Sequence, residues 1–525
     1  MQIISEKQNA LLQIALRRRD MLSLLGAGTL MAAGSDATAQ RTPLKGGVLR
    51  VSSLANPSSL DPVTGGSGVD HIYLYTIFDT LTEFDFETLG AKPGMASWAF
   101  PNLNTMVLTL KTGIKFHDGT ACDAQAVKFN LDRARTDVRS SVKSDVSNIS
   151  AVEVTGPLEV KLTLSQPDAA LPGIFADRAG MMMSPTAVQK LGNAHDRNPV
   201  GCGPWKFVSW ADNQSVVVMR NEGYWKPGQP YLDGIEMSII PELATGLRSV
   251  VANQNHLVYG LSPRMTPLLE RAKNVTLLRG PSLFHHMIYL NYGRAPLNNV
   301  KVRQAMNYAI DRRAFVTATM GGIGEIATQN LPSTHWAYDK TLANMYPHDP
   351  ARVKKLLAEA GFPDGLDITI ACWNDQDSAR RREVIEAQLA AVGIRCKFTA
   401  GTITEVSNQF FGTEKKFDAY LAAWSGRPDP SMTYSSLFGK TAYYNASRLE
   451  GSDELATLLQ HSRLKEDQGF RTQVFAKIQR QVMELGLNVP IAFNPELVAV
   501  AKDVQGYRPN LLGKPKFNGV WLATK

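Results

Sequence analysis

Residues 366–398 constrain the architecture more than any other stretch. Leu366 to Cys372 is an apolar, strand-like run, Ser378 to Val392 carries a helical pattern that ends at Gly393, and Ile394 to Phe398 is a second strand-like run. Strand, helix, strand is a βαβ unit. Its two strands are expected to lie parallel, because a crossover of that length returns the chain to the same end of a sheet. The fold class that follows is α/β.

The rest of the chain fits that class in a particular order. Val48 to Val51, Met106 to Lys111, two runs within Val152 to Leu164, and a hairpin of Trp205–Trp210 with Ser215–Arg220 make the first half strand-rich. Helices take over later. Asn299 precedes a helix with Val302, Met306, Ala309 and Ile310 on one face. Asp349 and Pro350 open another that Gly361 stops. A helical stretch in two pieces covers Asp453 to Leu485, and strands return at Val489–Phe493 and Leu497–Val500. No repeat or low-complexity linker interrupts the 525 residues, so large lobes joined by short packed connections are expected.

Composition excludes several classes. With 44% hydrophobic and 20% charged residues, the chain is neither disordered nor a coiled coil. Its net charge of +8 is spread along the sequence, without the basic stripe that nucleic-acid binding requires. The first 39 residues read as an export signal rather than fold. Arg17-Arg18-Arg19 precede a weakly apolar run, Met21 to Gly34, and Ala37-Thr38-Ala39 form a small-x-small cleavage site before Gln40. Arg18-Arg19-Asp20-Met21-Leu22 resembles the twin-arginine pattern, the alternative being an ordinary secretory signal. The mature protein is therefore expected to be soluble in the periplasm of a Gram-negative bacterium. Cys122, Cys202, Cys372 and Cys396 have no metal-ligand spacing. A Cys372–Cys396 disulfide is possible if their strands are neighbours, and four buried thiols are the other outcome.

Catalytic signatures are absent: no GxSxG, no HExxH, no Walker loop and no GxGxxG between a strand and a helix. His285-His286 would point to opposite faces of a strand and so would not chelate one ion. The run Met181-Met182-Met183 reads as apolar filling. No enzyme, no metal and no cofactor is expected.

The candidate site is a strand end. Phe417 to Trp424 runs straight into Ser425-Gly426-Arg427-Pro428-Asp429-Pro430, and Trp373-Asn374 follows the 366–372 strand in the same way. Ligands of α/β sheets sit beyond the carboxyl ends of strands. Trp424 and Trp373 would supply flat apolar walls, with Ser425, Gly426 and Asn374 beside them. Arg427 would supply a forked donor matched to carboxylate or phosphate. The competing role for Arg427 is a loop-stiffening ion pair with Asp429.

Motifs spread over most of the chain resemble bacterial extracellular solute-binding proteins of the oligopeptide, dipeptide and nickel type, family 5. They are Lys45-Gly46-Gly47, Leu60-Asp61-Pro62, VLTLKTGIKFHDG at 107–119, NPVGCGPW at 198–205, RNEGYW at 220–225, VKVRQAMNYAID at 300–311 and KKLLAEAGF at 354–362. The resemblance implies a two-lobed periplasmic clamp (type II, large form) with an extra subdomain on the first lobe and a two-strand hinge. Lobe I would take residues 40–288 and 495–525, with the extra subdomain at roughly 75–200. Lobe II would take residues 289–494, with crossings near Tyr289-Leu290-Asn291 and Phe493-Asn494. The implied function is a monomeric receptor that delivers a small molecule or short peptide to the permease and ATPase of an ABC importer. In the peptide-binding branches of the family the Trp that ends this strand is followed, after two intervening residues, by an Asp that pairs with the peptide's amino terminus. Arg427 stands there in this chain, so a carboxylate-bearing solute is expected, with Asp429 as a second candidate for the amine. A metal-chelate or haem receptor of the same fold, or a periplasmic hydrolase, are the alternatives. Against metal capture, the chain has only nine His and none in 424–430.

Overall fold

The computed structural model describes residues 42–269 and 271–524. The export segment read at residues 1–39 lies outside them. Residues Leu44–Lys525 form one compact unit, built on two large mixed sheets and a smaller antiparallel one.

The first sheet has seven strands. Its centre is Val48–Ser53, parallel to both Gly234–Ile239 and Leu257–Val258. The 205–220 hairpin extends one side, as its alternating pattern requires, and Glu496–Ala501 with Val275–Gly280 closes the other. The six-stranded second sheet runs Glu325–Ile326, Asn488–Phe493, His285–Leu290, Ala419–Trp424, Leu366–Trp373, Ile394–Gly401. Its βαβ unit pairs in parallel, Leu366 against Ile394, with helix Gln376–Ala390 as the crossover. Local signals hold here: Asn299 accepts from Lys301 N, and Asp349 from Arg352 N, at the helix starts that their positions predict. A separate four-stranded antiparallel sheet, Ala96–Asn102, Thr105–Leu110, Glu159–Leu164 and Ile149–Gly156, packs its own core of Met106, Leu108, Val127, Leu131 and Leu162.

The chain leaves the first sheet at Gly280 and enters the second at His285, then returns between Phe493 and Glu496. Tyr289 and Leu290 therefore lie inside a strand, and the first crossing falls at residues 281–284 rather than at 289–291. The sequence does not show how far this strand runs, because all six residues of HHMIYL are buried and no polar–apolar alternation marks its end. The two crossings run side by side: Asn494 N donates to Phe284 O at 2.8 Å and Ser282 Oγ to Asn494 O at 2.6 Å.

Register also decides the cysteine question. Cys396 faces Ile368 and Cys372 faces Ala400 on the paired strands. The four-residue offset separates the two cysteines by roughly 13 Å, too far for a disulfide. All four thiols are free. Met181 and Met183 enter the core under the first sheet while Met182 enters that of the four-stranded sheet, so the run is filling, as expected.

Candidate functional site

A cavity of about 680 Å³ opens between the two large sheets. The first-sheet side contributes Ser67, His71, Asp145, Asp177, Arg178 and Lys514, the crossing contributes Phe284, and the second-sheet side contributes Ser425–Pro428 and Met432. The jaws also touch outside it. Arg463 pairs with Asp168 at 3.2 Å, Trp98 Nε1 donates to Glu466 at 2.6 Å, and Arg264 meets Asp377 at 2.7 Å.

Of the residues expected at the site, Ser425, Gly426 and Arg427 line the cavity. Gly426 has φ +77, and a Cβ there would overlap Leu283 in the crossing, so only glycine lets the loop lie against the hinge. Arg427 is half-buried. Its Nη1 donates to Gly426 O at 2.9 Å, its guanidinium lies 4.6 Å from the centre of the Trp424 ring, and no carboxylate pairs with it among the described residues. Trp424 itself is buried, edge-on to Tyr444 at 5.1 Å, and forms the floor under Arg427 rather than a cavity wall.

The remaining three stand elsewhere. Asp429 is 5% exposed and takes two bonds from Arg471 Nη2, at 2.7 and 2.9 Å, while capping helix Pro430–Phe438 through Ser431 N. It pairs with neither Arg427 nor the cavity. Arg471 sits 42 residues on, on helix Gln468–Glu484, and outcompetes the near neighbour because helix Pro430–Phe438 turns the Asp429 carboxylate inward. Trp373 donates its Nε1 to Tyr420 Oη, and Asn374 is exposed. Both lie at the same carboxyl end of the parallel strands as Trp424 but do not line the cavity.

Local pattern did not reveal the groups on the opposite jaw. Asp177 caps the short helix Arg178–Gly180 and holds Lys514 Nζ at 2.5 Å and His71 Nε2 at 2.8 Å. Burial opposes its charge, yet Lys514 and His71 keep its carboxyl well below the usual range. Arg178 beside it has no side-chain partner among the described residues, and its Nη1 is buried. His71, Asp177 and Lys514 come from segments about 106 to 443 positions apart, and no spacing rule joins them.

Asp61, His195 and Asp196 come together and could be mistaken for metal ligands. Arg133 already bonds both oxygens of Asp61, and His195 Nε2 lies 2.6 Å from the same carboxylate while Nδ1 faces Gly192 O. The donor set is consumed by an ion-paired knot. His285 and His286 are buried beside Phe493 and Phe284, and burial lowers both, His285 to about 4.

The family model for bacterial extracellular solute-binding proteins, family 5 (middle), matches residues 91–445. The chain belongs to this family. It is 30% identical over 420 residues to the glutathione-binding protein GsiB of Shigella flexneri, across 77% of this chain and 80% of that protein. Among solved structures, the ABC transporter-associated periplasmic binding protein DppA of Helicobacter pylori, in complex with peptide STSA, aligns with 25% identity and TM-score 0.77, over 92% of this chain and 99% of that one. The ABC transporter substrate-binding protein CtaP of Listeria monocytogenes reaches TM-score 0.82 at 21% identity, over 91% and 100%. The two-lobed clamp of the family 5 proteins is thus the fold of this chain, and its family makes it a bacterial extracellular solute-binding protein.

Proposed function

We propose that this family 5 receptor is exported to the periplasm through its Arg18-Arg19 segment and captures a small peptide-like, carboxylate-bearing solute in the cavity between its jaws. The bodies that close on the solute are residues 44–280 with 496–524, and residues 285–493, hinged at the paired crossings. Closure changes the surface offered to the permease, so the solute acts by shifting the population of closed receptor. The receptor works as a monomer and makes no covalent change to its cargo.

The observation that carries this is Arg427. One edge of its guanidinium is tied to the backbone and its plane lies over Trp424, which leaves a pre-oriented fork free to bind a carboxylate. The cavity volume lies in the range that holds molecules of tripeptide size. Similarity to a glutathione-binding relative puts glutathione, a tripeptide with two carboxylates, first among candidates.

Calorimetry and thermal shift of the mature chain with reduced glutathione, dipeptides and organic acids test the proposal. A true solute at 100 times its Kd should stabilise by about 2.7 kcal/mol. Arg427→Ala should weaken its binding at least tenfold. Equal affinity of Arg427→Ala and wild type would refute the assignment.

A further inference from the structure

Charge accounting in the cavity is incomplete in a specific way. Asp177, Lys514 and His71 satisfy one another. Three other groups that line the cavity have no carboxylate, cation or hydrogen-bond partner on another side chain closer than 3.4 Å among the described residues: the guanidiniums of Arg178 and Arg427, and the carboxylate of Asp145. Asp145 stands on a turn closed by its own N–H on Val142 O at 3.0 Å and anchored by the buried side chains of Val142 and Val146. It is therefore a fixed acid, half-buried, with Ser144 beside it in the cavity wall.

We propose that Asp145 receives a free ammonium group of the solute, while Arg178 and Arg427 each receive a carboxylate. This deepens the reading of the cavity as a peptide-like solute site and rests on it. The solute class it names carries one primary amine and two carboxylates, net charge −1, the complement of two unpaired cations and one unpaired anion. Partially buried charges left without partners are costly, and a ligand of the matching pattern relieves all three. Burial, and after it the nearby Asp177, push the Asp145 carboxyl above its ordinary range, against the pull of Arg427 and Arg178. An ammonium placed against it would restore the charged form. Asp145 and Arg178 belong to one jaw and Arg427 to the other, so a solute that binds all three ties the jaws together.

The test uses matched pairs on the mature chain by calorimetry: reduced glutathione with its N-acetyl derivative, and Ala-Glu with N-acetyl-Ala-Glu. Wild type should bind the free-amine member of at least one pair tenfold or more tightly. Asp145→Asn should abolish that preference and leave the N-acetyl member's affinity little changed. Arg178→Ala should weaken both members together. The apo melting temperature of Asp145→Asn checks that the variant is folded, and Asp145→Ala repeats the measurement should Asn supply a new hydrogen bond. Equal binding of both members by wild type, or a preference that survives in both Asp145 variants, overturns the inference while leaving the solute site intact. Failure of every member to bind wild type overturns the peptide-like reading of the cavity, and this inference with it.

Discussion

Replacing Asp429 separates a structural role from a ligand-binding one. Its carboxylate holds Arg471 by two bonds and caps helix Pro430–Phe438, with both charged residues about 5–6% exposed. Arg471 also donates Nε to Ser462 O at 3.1 Å and stacks near Trp336 and Phe475, so it cannot swing out to water. Breaking such a buried pair from one side costs roughly 3–5 kcal/mol, because the remaining charge is stranded. Losing the helix cap adds about 1 kcal/mol. Asp429→Ala should therefore lose about 4–6 kcal/mol in urea unfolding followed by tryptophan fluorescence, a large part of the roughly 5–15 kcal/mol typical of a folded chain. Asp429→Asn keeps a cap acceptor and should lose less, about 2–4 kcal/mol. Asp429→Asn with Arg471→Met removes both charges and should recover stability over the single variant. Solute affinity of Asp429→Asn should stay within about threefold of wild type, since the side chain does not face the cavity. A loss under about 1 kcal/mol in Asp429→Ala, or a double variant no better than the single, would refute the argument. The pair also sets an acid limit. Burial works against the Asp429 charge, but Arg471 holds its carboxyl below the ordinary 3.8, so its contribution is complete above pH 3.8 and is lost as pH falls below that value.

Gly426→Ala should cost at least about 2 kcal/mol, since its φ of +77 is strained for any L-residue and the new methyl would overlap Leu283; urea melts check the loss, and calorimetry should show weaker solute binding as Arg427 shifts. Glu496, beside the second crossing, has its Oε1 buried without a partner, and burial pushes its carboxyl up to about 7. Its folded-state value lies above the ordinary 4.5, so stability is complete below pH 4.5 and falls as pH rises through about 7. Glu496→Gln should match wild type near pH 4.5 and exceed it by on the order of 1–3 kcal/mol at pH 8; a variant no more stable at pH 8, by chemical denaturation, would contradict this.

What sequence alone determined is whatever one segment can encode. The βαβ unit at 366–398, the 205–220 hairpin and the caps at Asn299 and Asp349 all depend on neighbours within a few turns, and each stands where its pattern places it. Motifs spread along the chain carried the family, and the strand-end rule found the loop that bears Arg427. The full extent of the strand at His285–Leu290, through Tyr289 and Leu290, was not legible because burial on both faces erases alternation. Asp429 was misplaced because an ion pair follows distance in space: Arg427 is two residues away in the chain, yet Arg471 is the residue that packs against it. For the same reason only the tertiary structure could bring Asp145 and Arg178 opposite Arg427. A side chain's hydrogen-bond partners and solvation come from segments hundreds of residues apart, and those are assembled only when the two sheets close on a shared cavity.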